Sequence, residues 1–228
     1  MWYITSQKFG GSALGLMRVL GLGSYQTAWT WLHKMRHAMV RPDRDMLKGT
    51  VEVDETMIGG ESHGGKRGRG AADKQIVVIA IEITDPIGFG RVRMKRIEAA
   101  DANNLISFIK SNVSMGSRIR TDAWRAYSGL AANGYAHEMT NLSESGDPAH
   151  VVMPGVHRVA SLLKRWLLGT HQGAVSSQHL EYFLDEYTFR FNRRHSKSRG
   201  MLFFRLMQQA VQIKAVTYHE LANKSLES

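Results

Sequence analysis

Thr50-Val51-Glu52-Val53-Asp54-Glu55 alternates β-branched with acidic residues, and after a glycine-rich interruption Gln75-Ile76-Val77-Val78-Ile79-Ala80-Ile81-Glu82-Ile83 is almost unbroken apolar sequence. The first pattern has the period of two of a half-buried strand. The second, bounded by turn residues, is that of a strand covered on both faces. Downstream, Phe89 to Ile97 alternates again after the Asp85-Pro86 turn, as the hairpin partner of the apolar run. Asp101 is placed to cap an amphipathic helix reaching about Val113. Arg118-Ile119-Arg120-Thr121 then reads as a short strand that delivers Asp122 at its end. A helix through Trp124 to Leu130, a fifth short strand over Tyr135 to Thr140 and a loop over Asn141 to Pro154 follow. Helices return at roughly 156–169, 177–194 and 199–212. This order predicts an α/β fold with a mixed five-stranded sheet flanked by helices.

Upstream of the sheet, Ser12 to Leu20 reads as a short helix, broken by Gly21-Leu22-Gly23. Ser24 caps a second helix from Tyr25 to about Val40, in which Ala28, Trp31, Leu32 and Met35 recur at helical spacing. The outline suits a helix-turn-helix or a plain helical hairpin, and Lys34, Arg36, Arg41 and Arg44 tilt the choice toward DNA. The polar break Arg41 to Asp45 divides the chain into a helical DNA-binding segment, 1–45, and a larger domain, 46–228. Residues 59–74 are too rich in glycine and charge to form a core, and present Lys66, Arg67 and Arg69 on a basic loop.

Of the 228 residues 43% are hydrophobic and 22% charged, a balance that folds. The absence of cysteine excludes disulfides and thiolate zinc sites, and the ten histidines lack a zinc spacing such as HExxH. With no signal-peptide pattern and no apolar run long enough to span a bilayer, a cytoplasmic, nucleoid-associated protein without a membrane partner is expected. The net charge of +10 is concentrated in the flanks: +5 over residues 1–48, −1 over 49–156 and +6 over 157–228. Basic flanks suit a polyphosphate partner, double-stranded DNA above all.

Asp54 lies in the first strand and Asp122 ends the fourth. If those strands are neighbours the two carboxylates converge, and converging carboxylates need a cation. Magnesium fits, because it takes a few carboxylate oxygens and leaves room for water and phosphate. Two such ions can serve both oxygens of an in-line phosphoryl displacement. Glu52 reads as a solvent-facing strand residue, and Glu55 as an auxiliary acid beside Asp54.

The runs Val51-Glu52-Val53-Asp54-Glu55-Thr56-Met57-Ile58-Gly59-Gly60, Thr121-Asp122-Ala123-Trp124-Arg125-Ala126-Tyr127, Leu163 to His171 and Tyr182 to Arg194 resemble, in order, the bacterial DDE-type insertion-sequence transposases with the motif VDE-x-x-I-GG. The resemblance extends to the helical segment Gly11 to Val40. It implies a ribonuclease H-like catalytic domain that nicks DNA at element ends and joins it to a target, with magnesium or manganese as cofactor and a homodimer or larger assembly as the active complex. In that family the third metal ligand stands seven residues before a basic residue on one helix. Here Lys164 is that residue and His157 the ligand, 35 positions after Asp122, as in a DDHK subgroup. The implied metal ligands are Asp54, Asp122 and His157, with Lys164 completing the catalytic set and contacting DNA. Relatives usually carry a cysteine-rich zinc ribbon ahead of the helical segment; its absence from these residues implies either a truncated copy or a sequence boundary placed after the ribbon.

Further DNA contacts are expected from Arg193, Arg194, Lys197 and Arg199, where Phe189-Arg190-Phe191-Asn192-Arg193-Arg194 sets apolar rings beside a basic run. Two alternatives stand beside the transposase: a ribonuclease H-like nuclease, and a degenerate DNA-binding protein without catalysis.

Overall fold

Strand β1 (Thr50–Ile58) pairs on both edges, antiparallel with β2 (Gln75–Thr84) on one side and parallel with β4 (Arg118–Asp122) on the other. β3 (Gly88–Ile97) joins β2 as an antiparallel hairpin partner, and β5 (Ala136–Thr140) runs parallel to β4, giving the order β3-β2-β1-β4-β5. This is the mixed five-stranded sheet flanked by helices that the sequence predicts. The computed structural model describes residues 1–41, 43–59, 74–84, 88–140, 148–171 and 175–223.

One face of the sheet carries Val51, Val53, Val78, Ala80 and Ile119, all buried against Leu105, Phe108 and Ile109 of α4 (Ala102–Asn112) and against Tyr127 and Leu130. Each Val, Ile, Leu or Phe side chain removed from water there contributes about 1.5–3 kcal/mol, so this face holds the sheet to its helix. Asp101 caps α4 as expected, its carboxylate accepting the Asn104 N–H at 2.8 Å. The expected helix over Trp124 to Leu130 is instead two 3-10 turns, Arg125–Tyr127 and Ala131–Asn133. Asp122 takes the Trp124 N–H and the Trp124 ring donates to Ala100 O at 3.0 Å, and these bonds start a tight turn. Gly134, at φ +83°, ends the second turn in the left-handed region that favours glycine.

After α5 (Ala149–Val152) comes α6 (Pro154–His171), two residues earlier in its start than the sequence pattern suggested. Chain contacts divide the protein into two compact units, Asp45–Arg165 and a second made of Met1–Arg44 with Trp166–Ser228.

The second unit holds α1 (Trp2–Ser6), α2 (Ala13–Leu20), α3 (Tyr25–His37), α7 (Leu180–Asn192), α8 (Arg199–Ala210) and α9 (Tyr218–Asn223). Ser24 caps α3 and Gly21 at φ +61° closes α2, both as the sequence predicts, while Ser12, read as the first helical residue, stands just outside α2 as its cap. Ile4, Leu16, Ala28, Leu32, Phe189 and Leu206 form its core. Beside that core, buried Glu186 binds Arg36 and Arg190, each at 2.8 Å. No helix among the described residues is long and apolar enough to cross a membrane.

Candidate active site

Alternation along β1 sends Val51 and Val53 to the α4 face, and therefore Glu52 and Asp54 to the opposite one. Asp54 is partly open to solvent. Its Oδ1 accepts the Glu55 N–H at 2.8 Å, which orients the carboxylate, and its Oδ2 lies 4.0 Å from Nε2 of His157, the fourth residue of α6. Two ligand bonds of about 2.1 Å span up to about 4.2 Å, so this pair lies within reach of one small divalent ion. Carboxylate oxygen with neutral imidazole nitrogen is a donor set that magnesium and, more readily, manganese accept.

Asp122 closes β4 and is likewise fixed by backbone, its Oδ1 accepting the Trp124 N–H at 3.0 Å. The ladder between β1 and β4 pairs Thr50 with Arg118 and Glu52 with Arg120, a constant offset of 68 positions. Asp54 and Asp122 stand at that same offset, just past the last paired residues and on the face shared by Glu52 and Arg120. Among the described residues, no three His, Asp or Glu side chains gather as one metal-binding group. Asp54 and His157 are thus together as a pair, with Asp122 at the neighbouring strand end.

Glu52 departs from its sequence reading. It is 1% exposed, and its Oε2 accepts the N–H groups of Gly155 at 2.7 Å and Val156 at 3.1 Å at the start of α6. Burial raises its pKa, against the two N–H donors and the Arg120 charge, which lower it. The signal available in the sequence was indirect: Met153-Pro154 opens a helix with no capping side chain of its own. Glu55 emerges on the α4 face, where its Oε2 accepts the hydroxyl of buried Tyr127 at 2.9 Å. Burial, then Glu55 and Asp54, then Asp122 keep that phenol protonated by pushing its pKa well up.

Lys164 is exposed on α6, seven residues beyond His157 and so about 10 Å along the same helical face. In the other unit Arg193 lies over the Phe189 ring at 4.1 Å and Arg194 over Phe191 at 4.2 Å, while Arg194 and Lys197 are exposed. Lys66, Arg67 and Arg69 lie outside the described residues, as does the Arg199 side chain.

The sequence model of the ISXO2-like transposase domain family matches residues 46–192, well over half of the chain, and Asp54, Asp122, His157 and Lys164 all fall inside that match. No curated protein matches. Among solved structures the chain is similar to the catalytic core domain of BIV integrase, with 13% identity and a TM-score of 0.40 over 72% of this chain and 99% of that one. It is also similar to a chain of the simian T-cell lymphotropic virus intasome in complex with PP2A regulatory subunit B56 gamma, at 13% identity and TM-score 0.33 over 73% of this chain and 58% of that one.

Proposed function

The chain belongs to the ISXO2-like transposase domain family, and from that premise we propose that it nicks insertion-sequence ends and joins them to target DNA, with Asp54, Asp122 and His157 as the ligands of Mg2+ or Mn2+. The observation that carries this reading is the 4.0 Å approach of His157 Nε2 to Asp54 Oδ2 inside the matched segment. The bound ion would supply Lewis acidity at the phosphoryl oxygens and offset the charge of the reacting phosphate. The chain's own residues do the holding. Asp54 and Asp122 are each oriented by a backbone N–H bonded to Oδ1. Lys164, two helical turns from His157, meets a DNA phosphate, in keeping with a DDHK pattern.

The reaction has two displacements and no covalent protein intermediate. Water adds to phosphorus at the element end as the bond to the 3′-oxygen breaks, giving a 3′-hydroxyl and a 5′-phosphate. That hydroxyl then attacks a target phosphodiester, forming one such bond as another breaks and releasing a target 3′-hydroxyl. Double-stranded DNA is the partner in both steps, and pairing two ends requires a homodimer or a larger assembly. The helical segment 1–45 and the basic residues Lys66, Arg67, Arg69, Arg193, Arg194, Lys197 and Arg199 are proposed to grip it, with 46–228 as the catalytic part.

A strand-transfer assay on end DNA tests the reading. Wild type should give cleaved and joined products in magnesium or manganese. Asp54→Ala and Asp122→Ala should lose both while still binding DNA. Cleavage without a joined product would mark a nuclease instead, and cleavage that survives either substitution would reject the site.

A further inference from the structure

An α-helix leaves its first four N–H groups without partners inside the helix, and a Ser, Thr, Asn or Asp just before the helix ordinarily accepts one of them. At the start of α6 that arrangement is missing. Met153 carries no acceptor of that kind and Pro154 has no N–H, so Gly155, Val156 and His157 hold the donors. The acceptor comes from β1, 103 positions earlier in the chain for Gly155: Glu52 Oε2 takes the N–H groups of Gly155 and Val156. A carboxylate there also matches the positive end of the helix dipole.

Close approach is built in from the helix side as well. A Cβ on Gly155 would meet Ile83 Cδ1 at 2.7 Å, Glu52 Oε2 at 2.8 Å and Ile81 Cγ2 at 3.1 Å, so a side chain there would displace Ile83 and the Glu52 carboxylate from their places under the helix start. Glu52 is two residues before Asp54 on the same face of β1, and Val156 immediately precedes His157. One buried carboxylate therefore ties the strand that carries Asp54 to the helix turn that carries His157.

We propose that Glu52 is a positioning residue: it clasps the first turn of α6 onto β1 and thereby sets His157 opposite Asp54. This rests on the reading of Asp54 and His157 as ion ligands. Glu52 is not a ligand itself, since its Oε2 is engaged by two N–H groups in a 1% exposed environment. What the clasp needs is an acceptor oxygen of the right reach, which glutamine also offers and alanine does not.

The test compares Glu52→Gln, Glu52→Ala and Gly155→Ala in the whole chain, with thermal melts confirming that each is folded. Two quantities are read: the His157 ring resonance by NMR at fixed pH without metal, and Mn2+ affinity by calorimetry. Glu52→Ala and Gly155→Ala should both move the His157 resonance and weaken Mn2+ binding on the order of tenfold, the usual cost of losing a residue that orients a ligand. Glu52→Gln should restore both relative to alanine. An unmoved His157 resonance in Glu52→Ala overturns the clasp. So does a Glu52→Gln variant as impaired as alanine, because the carboxylate would then act directly. If Glu52→Ala does not fold, Glu52→Gln and Gly155→Ala decide in the same way. If Asp54→Asn binds Mn2+ as wild type does, the ion site fails on its own, and the metal-free resonance still decides for or against Glu52.

Discussion

His33 is 1% exposed and ringed by aromatic side chains, with Trp29 at 4.3 Å, His179 and Tyr182 at 5.1 Å and Phe183 at 5.7 Å between ring centroids. Its Nδ1 meets no hydrogen-bond partner among the described residues. Burial first, then the charge of Arg36 and the neighbouring His179 and His171, pushes its pKa from 6.5 down to about 2. His171, packed on Trp166 and Phe183, falls to about 4, chiefly by burial. Both rings stay neutral in the fold at pH values where the unfolded chain takes up protons. The stability they contribute is therefore complete above the unfolded value near 6.5 and is lost progressively as pH falls through 6.5 toward 4 and then 2. The urea midpoint of wild type should drop between about pH 7.5 and about pH 5, and His33→Leu should drop less. Equal drops would show that His33 is not a source of acid sensitivity.

The strands were legible from local pattern: β1 carries β-branched residues at every second position, β2 is apolar on both faces and is buried along most of its length, and β4 is a short run ending at Asp122. The helix caps were legible too, since Ser12, Ser24 and Asp101 act on N–H groups only three residues away. What stayed hidden depends on partners far along the chain. The Glu52 clasp joins positions 52 and 155, and its acid sits at a strand position that alternation alone assigns to solvent. Arg125–Tyr127 is a 3-10 turn because the Asp122 carboxylate and the Ala100 carbonyl fix Trp124, neither of which helical periodicity registers. The short helices α1 and α9 have too few residues for a period to show. The same non-local logic governs α3 and α7. There burial alone would raise the Glu186 pKa, but Arg36 and Arg190 hold it below the usual carboxylate value. Removing that acid leaves Arg36 buried and uncompensated, so Glu186→Ala should cost about 3–5 kcal/mol in chemical denaturation. A loss near the 0–1 kcal/mol typical of an exposed pair would contradict the assignment.

Across the whole molecule, the net charge of +10 and its concentration in the flanks suit a polyphosphate partner, and under the proposed function DNA affinity would depend on counterion release. Replacing Arg193, Arg194 and Lys197 together by glutamine should flatten the dependence of log affinity on log salt by up to about 3 units, nearly one for each phosphate no longer neutralised. An unchanged slope would remove that patch from the interface. Catalysis as proposed needs something more local, the sharing of one bound ion by Asp54, Asp122 and His157. Anomalous diffraction from a manganese-soaked crystal reads this directly. A manganese peak bonded to both aspartates and to His157 Nε2 is expected; a peak held elsewhere, or none near Asp54, would rule out the shared ion.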